Sequence, residues 1–297
     1  MPSPTKISFA SRPSMVPAYA RVLLGRKPYS APEGTVIEPV ELEVRKVKLS
    51  EAHVQSYREV CRVPSSVAGL PPAYLHVLAM PLHMQLFVVK HFPVKVLGLI
   101  HLRNTIRVLG PVDLRAPLKM LVRFSTMRVT DYGQEYDFTT SYEQNGASVW
   151  EEVSTMFARG NSAPVPREGA KRPTIERSQH PDSGVATDTL EVADNTGWRY
   201  ARVSGDFNPI HLTARTAKMF GFKQAVAHGM WSMGRCLASA APMIPNARIQ
   251  IDTQFKLPVY IPSQALARTW RVDGGADISM CTMKGDRLHL AMQVRTL

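Results

Sequence analysis

Nothing in this chain approaches the roughly 18 uninterrupted apolar residues that a membrane-spanning helix needs, and no long apolar segment with a small-residue cleavage site stands at its N-terminus. Neither membrane insertion nor secretion is expected, and a cytoplasmic location is. Cysteine is scarce, with Cys61, Cys236 and Cys281 the three present. None has the CxxC or Cys/His spacing of a metal site, so they read as reduced, buried thiols. Acidic residues are missing from the first 32 positions, where Lys6, Arg12, Arg21, Arg26 and Lys27 precede Glu33. A mitochondrial transit peptide shares that bias, but four prolines in the first 17 residues argue against the amphipathic helix it needs. A basic stripe interleaved with stacking aromatics is missing too, because the charges that sum to +12 are scattered through every segment. Nucleic acid is therefore not the expected partner, although a positive field attracts phosphate groups in general.

What is present is enough chain for two domains: 297 residues can bury two cores without covalent staples. The sharpest break in composition, Gly160 to Gly184, mixes Pro, Gly, Ser and charge with no apolar period. The expected division is a first half over 1–159 with an N-terminal extension, a linker over 160–184 and a second half over 185–297. The halves repeat one pattern. Tyr74 to Val89 and Met230 to Met243 are mostly apolar stretches that predict buried helices. Four alternating runs follow each. In the first half they are about Leu99 to Leu109, Leu118 to Thr130, Glu135 to Tyr142 and Ser148 to Ala158. In the second they are Ala247 to Leu257, Ser263 to Val272, Ala276 to Lys284 and Arg287 to Arg295. A helix apolar over most of its surface must be wrapped, and a curved antiparallel sheet is the element available to wrap it. An echo between TIRVLGPVDLRAPL at Thr105 and TQFKLPVYIPSQAL at Thr253 hints at duplication.

Chemistry concentrates in YARVSGDFNPIH, Tyr200 to His211. Ser204, Gly205, Asp206, Asn208 and Pro209 are turn and cap formers, which predicts a loop from Val203 to a short helix capped by Thr213 and stopped by Gly221. Asp206 and His211 then share one constrained loop. Each has a plain structural reading, an Asx turn for the acid and a satisfied imidazole for the histidine. Ala227-His228-Gly229-Met230 adds a third element at the start of the long second-half helix. There a glycine admits close backbone approach and the helix start offers free N–H groups carrying about half a positive charge. An acid, an imidazole and an anion-stabilising helix start are together suited to chemistry beside a carbonyl.

These residues resemble the hydratase 2 motif of the MaoC-like, (R)-specific enoyl-CoA hydratase family, whose pattern reads Y-x-x-x-S-G-D-x-N-P-x-H. Tyr200, Ser204, Gly205, Asp206, Asn208, Pro209 and His211 fall on it. The family's later G-F, A-H-G-M and F-K-x-P-V are similar to Gly221-Phe222, Ala227 to Met230 and Phe255 to Val259. The resemblance implies an α+β double hotdog, each half a long helix wrapped by a curved antiparallel sheet, with a first half that is degenerate because it lacks D-x-N-P-x-H. It implies reversible hydration of trans-2-enoyl to (3R)-hydroxyacyl thioesters, a hydro-lyase activity run by Asp206 and His211. Gly229 N–H is the expected oxyanion contact, and Ser204, Asn208 and His228 are expected to bind substrate or position the loop. Neither metal nor separate cofactor is expected, since coenzyme A or the phosphopantetheine of an acyl-carrier protein is part of the substrate. A monomer or a homodimer is expected. The competing reading is a hotdog that hydrolyses or merely binds acyl thioesters, although hydrolysis would call for a carboxylate on the long helix and Met230 to Met243 carries none. His76, His83, His91 and His101 invite a metal, but no carboxylate stands near them in sequence to complete a site.

Overall fold

Alternating burial along the runs and all-round burial along the two apolar stretches set the architecture. The computed structural model describes all residues except 1–3, 26, 33, 36–37, 90–91 and 160–183. The expected linker therefore lies almost wholly outside the described residues, and so does His91. The first half contains β1 (Thr5–Phe9), α1 (Val16–Leu24), β2 (Val40–Val47), α2 (Glu51–Cys61) and α3 (Tyr74–Val88). Strands β3 (Ile100–Val108), β4 (Leu118–Thr130), β5 (Gly133–Gln144) and β6 (Ala147–Ala158) complete it. The second half opens with β7 (Ala186–Val192), α4 (Thr196–Ser204), a 3₁₀ turn at Pro209–His211, α5 (Ala214–Lys218) and β8 (Ala225–Val226). It continues with α6 (Gly229–Ser239), a 3₁₀ turn at Ala241–Met243, then β9 (Ile249–Phe255), β10 (Tyr260–Ile261), β11 (Ser263–Val272), β12 (Gly275–Thr282) and β13 (Leu288–Thr296).

Eleven strands form one sheet in the order β1-β2-β4-β5-β6-β3-β9-β13-β12-β11-β7, antiparallel at every step except β1 with β2. The halves meet where β3 pairs β9, with Asn104 opposite Thr253 and Ile106 opposite Ile251. Those strands carry the two echoing segments, so the echo marks equivalent positions on either side of one seam. Helix α3 is apolar on all sides, with His76 and His83 among its buried residues, and packs on β2, β4 and β5. Helix α6 packs on β12 and α2. Its Trp231 Nε1–H and Arg235 guanidinium donate to the carbonyls of Val60 (3.0 Å) and Cys61 (3.0 Å), which satisfies the end of α2 that has no intrahelical partners. All three cysteines are buried, and none forms a disulfide among the described residues.

Three expectations about elements need correction. Helix α6 stops at Ser239 rather than Met243, because Pro242 disfavours helical backbone at Ala241 and only a 3₁₀ turn follows. The prolines near the N-terminus do not prevent a helix: Pro17 sits in the first turn of α1, where its missing N–H leaves nothing unpaired. The segment before Asp206 is helical through Ser204, so the loop is shorter than its turn formers suggest. Among the described residues no helix is long and apolar enough to cross a membrane.

Candidate active site

The site is built where α4 ends. Gly205 adopts the left-handed conformation (φ +75°) and its N–H caps Ala201 O at 2.7 Å. A Cβ at this position would also lie 2.0 Å from Met15 Cε, the end of a flexible side chain, so it is the left-handed backbone that calls for glycine. The chain then locks itself residue by residue. Ser204 Oγ accepts from Asp206 N (3.1 Å), Asp206 Oδ1 accepts from Asn208 N (3.1 Å), and Asn208 Oδ1 accepts from Ile210 N (3.3 Å), starting the turn that holds His211. From behind, α4 presses on that turn: a Cβ on Gly197 would fall 1.8 Å from His211 O. Thr213 Oγ1 caps α5 as expected (3.1 Å to Thr216 N), and Gly221 follows with φ +84°.

His211 Nδ1 lies 2.6 Å from Val226 O. A carbonyl can only accept, so Nδ1 carries the hydrogen and Nε2 presents a lone pair. That Nε2 stands 4.0 Å from Asp206 Oδ2. Burial lowers the His211 pKa despite the nearby carboxylate, so the ring is neutral around pH 7. Burial also opposes ionisation of Asp206, but the His228 and His211 rings and the Asn208 N–H outweigh it and hold its pKa below the ordinary carboxylate value. The Asp206 side chain keeps 28 % of its exposure while His211 keeps 11 %, which leaves the pair approachable from one side.

His228 lies under this pair. Its ring stacks on His211 with centroids 3.7 Å apart, and Nε2–H donates to Asp206 O at 2.9 Å. Burial pushes its pKa down to about 3. His228 thus holds the loop from below as a neutral donor. Asp206, His211 and His228 group closely enough to invite a cation, but His228 Nε2 is spent on the Asp206 carbonyl, which leaves the Asp206 carboxylate and His211 Nε2 facing each other, fewer than the three protein ligands a metal site usually has. Gly229 opens α6, and a Cβ there would lie 3.1 Å from the Phe255 ring, so glycine lets Phe255 close against the helix start.

One contributor comes from the N-terminal extension and carries no motif. Tyr19, on α1, donates its hydroxyl to Gly205 O (2.9 Å), accepts from Phe207 N (2.7 Å) and stands 3.5 Å from Asp206 Oδ1. Burial raises its pKa far above the ordinary tyrosine value and keeps the proton in place. Only contact across 187 positions of chain reveals it.

Two helices wrapped by halves of one continuous sheet, antiparallel but for β1 with β2, and an Asp/His loop on one half alone define a double hotdog protein. Residues 176–290 match the MaoC like domain family model. Over 266 residues the chain is 29 % identical to 3-hydroxyacyl-thioester dehydratase X of Mycobacterium tuberculosis, covering 86 % of this chain and 88 % of that protein. The crystal structure of HtdX from Mycobacterium tuberculosis superposes with a TM-score of 0.73 at 26 % identity, covering 86 % of this chain and 100 % of that one. A MaoC-like dehydratase from Phytophthora capsici shares the fold with a TM-score of 0.72 at 17 % identity, covering 89 % and 97 % of the two chains.

Proposed function

We propose that the protein is a hydro-lyase that interconverts trans-2-enoyl and (3R)-hydroxyacyl thioesters of coenzyme A or of an acyl-carrier protein. The observation that carries this reading is the 4.0 Å gap between Asp206 Oδ2 and the unprotonated Nε2 of His211, inside a MaoC-like domain. The gap is too long for a direct hydrogen bond, yet one water can contact both atoms at about 2.8 Å. In the hydration direction the pair takes a proton from that water as its oxygen bonds to C3. The alkene electrons pass to C2 and the thioester oxygen, and the pair returns the proton to C2. Water is added and the pair ends unchanged, so no further cofactor is needed. Gly229 N–H, at the positive end of α6, supports the enolate oxygen. Ser204, Asn208 and His228 position the loop, and His228 is the floor beneath it. The first half, 1–159, carries no such loop and forms the opposite wall, giving one active site per chain.

Absorbance at the enoyl-thioester band, followed with crotonyl-CoA and a longer trans-2-enoyl-CoA and with chiral analysis of the product, tests the reading. Loss of the band with a (3R) product supports it. No loss with either, nor with carrier-linked substrates, sinks it in favour of a protein that only binds thioesters. Free acyl acid in place of hydroxyacyl product would make the protein a thioesterase, against which stands the absence of any carboxylate on α6.

Turnover needs neutral His211 and ionised Asp206. Both pKa values are displaced downward, so kcat/KM is expected to stay level from about pH 8.5 down to the ordinary histidine value of 6.5 and to fall only in more acid solution. A pH profile already declining between pH 8 and 7 would contradict the assignment. Tyr19→Phe removes the hydroxyl that ties α1 to the loop at two backbone groups. Losing about 1 to 1.5 kcal/mol of positioning predicts a kcat about tenfold lower with KM unchanged, measured beside a thermal melt that confirms folding.

A further inference from the structure

The inner face of the seam is polar where a hydrocarbon pocket would be apolar. Among the described residues, seven buried side-chain atoms have no hydrogen-bond partner, and four of them stand together here: Asn104 Oδ1, Glu152 Oε2, His101 Nε2 and Thr253 Oγ1. Asn104, Glu152 and Thr253 are 0 %, 2 % and 2 % exposed. The cluster is fixed by its own bonds. His76 Nδ1–H donates to Glu152 Oε1 at 2.7 Å, and Asn104 Nδ2 donates to the same oxygen at 2.6 Å and to Ser154 Oγ at 3.0 Å. Those two donations settle which way the Asn104 amide points and leave its carbonyl oxygen outward. Thr253 is the register partner of Asn104 across β3 and β9, and the His101 ring stacks on His76 at 6.1 Å.

The wall adjoins the reaction centre. His101 packs on Phe255 with ring centroids 4.7 Å apart, and Phe255 closes on Gly229 at the start of α6. Phe255 thus connects the start of α6 to the cluster of four atoms. Leaving a buried acceptor unmet costs about 1 to 3 kcal/mol, which a ligand offsets when it supplies a donor to one of them. The Glu152 carboxylate already accepts hydrogen bonds from His76 (2.7 Å) and Asn104 (2.6 Å), so the wall calls for one further neutral O–H rather than an ammonium group. Thr253 can donate back to the oxygen of that hydroxyl.

We propose that Asn104, Glu152, His101 and Thr253 form a specificity site for an alcohol hydroxyl carried on the acyl chain beyond the reacting double bond. The preferred substrates are then hydroxylated acyl thioesters. This rests on the hydro-lyase reading for its substrate class. A site built to hydrogen-bond a hydroxyl rejects the analogue that lacks it, because its own buried polar groups are then left unmet.

The experiment compares trans-2-enoyl-CoA thioesters of equal length, with the hydroxyl at successive tail positions or absent. At the matching position the wild type is expected to show at least a tenfold higher kcat/KM for the hydroxylated form. Thr253→Val, which preserves shape, and Asn104→Leu should each collapse that ratio, with circular dichroism to confirm folding; Thr253→Val suffices if Asn104→Leu does not fold. Calorimetry on Asp206→Asn with saturated acyl-CoA, plain and hydroxylated, reads the same preference without turnover. Equal or better use of the plain chain at every tail position, or a ratio unmoved by Thr253→Val, overturns the proposal while leaving the hydro-lyase reading intact. Preferential binding of hydroxylated acyl-CoA by a wild type that turns over no enoyl thioester does the reverse.

Discussion

Asp206→Asn is expected to leave about a thousandth of wild-type kcat in the enoyl-thioester assay, within the range that removal of a general acid or base produces. The amide is nearly the same shape, and its Oδ1 can still accept from Asn208 N as the carboxylate oxygen does at 3.1 Å. The loop geometry is thereby kept while the group able to take a proton is lost. An unchanged melting temperature with a collapsed rate is the expected signature. More than about a tenth of wild-type rate would show that Asp206 is a turn former and nothing else.

His76→Leu carries the largest expected cost in stability. Glu152 is 2 % exposed and pairs with the His76 imidazole at 2.7 Å. Removing one member of a buried pair costs about 3 to 5 kcal/mol, a fall on the order of 10 °C in melting temperature for a chain of this size. Replacing both residues, His76→Leu with Glu152→Leu, should recover much of that loss, because no uncompensated charge then remains. The pair also predicts how stability depends on pH. Burial opposes the charged form of each group, but each partner overrides it: the His76 pKa is raised, and that of Glu152 is pulled down to about 2. The Glu152 contribution is present above its unfolded value of 4.5 and is lost as pH falls toward 2. The His76 contribution is complete below its unfolded value of 6.5 and is lost as pH rises through its raised folded value. Melts across pH should therefore show the difference between wild type and the double variant at its greatest between about pH 4.5 and 6.5.

The strands were legible because their burial alternates. Leu118–Thr130 and Ser263–Val272 have the bounds read from their patterns, and the other runs differ only by a few residues. Tyr74–Val88 was legible as a helix because a continuous apolar stretch of 15 residues is longer than an ordinary buried strand. The Asp206 to His211 loop was legible because its caps and turns act within two or three residues of one another. What escaped depends on distance along the chain. Glu152 reaches His76 from 76 positions away, so the reason given for dismissing the histidines, the lack of a carboxylate, does not survive folding. The cluster that results is an ion pair with orphaned acceptors. Tyr19 was invisible for the same reason: an aromatic on a short apolar helix reads as packing until α1 lies on the loop.

The pairing of β3 with β9 has a consequence in mass action. Where two separate polypeptides meet edge to edge, the completed sheet exists only above some concentration of subunits, and dilution takes it apart. Here both edges belong to one polypeptide and Asn104 faces Thr253 within it. The second edge is present at an effective concentration set by the connecting chain and indifferent to the amount of protein in solution. A wall and a catalytic loop supplied by different halves are thus always found in equal number and always with each other.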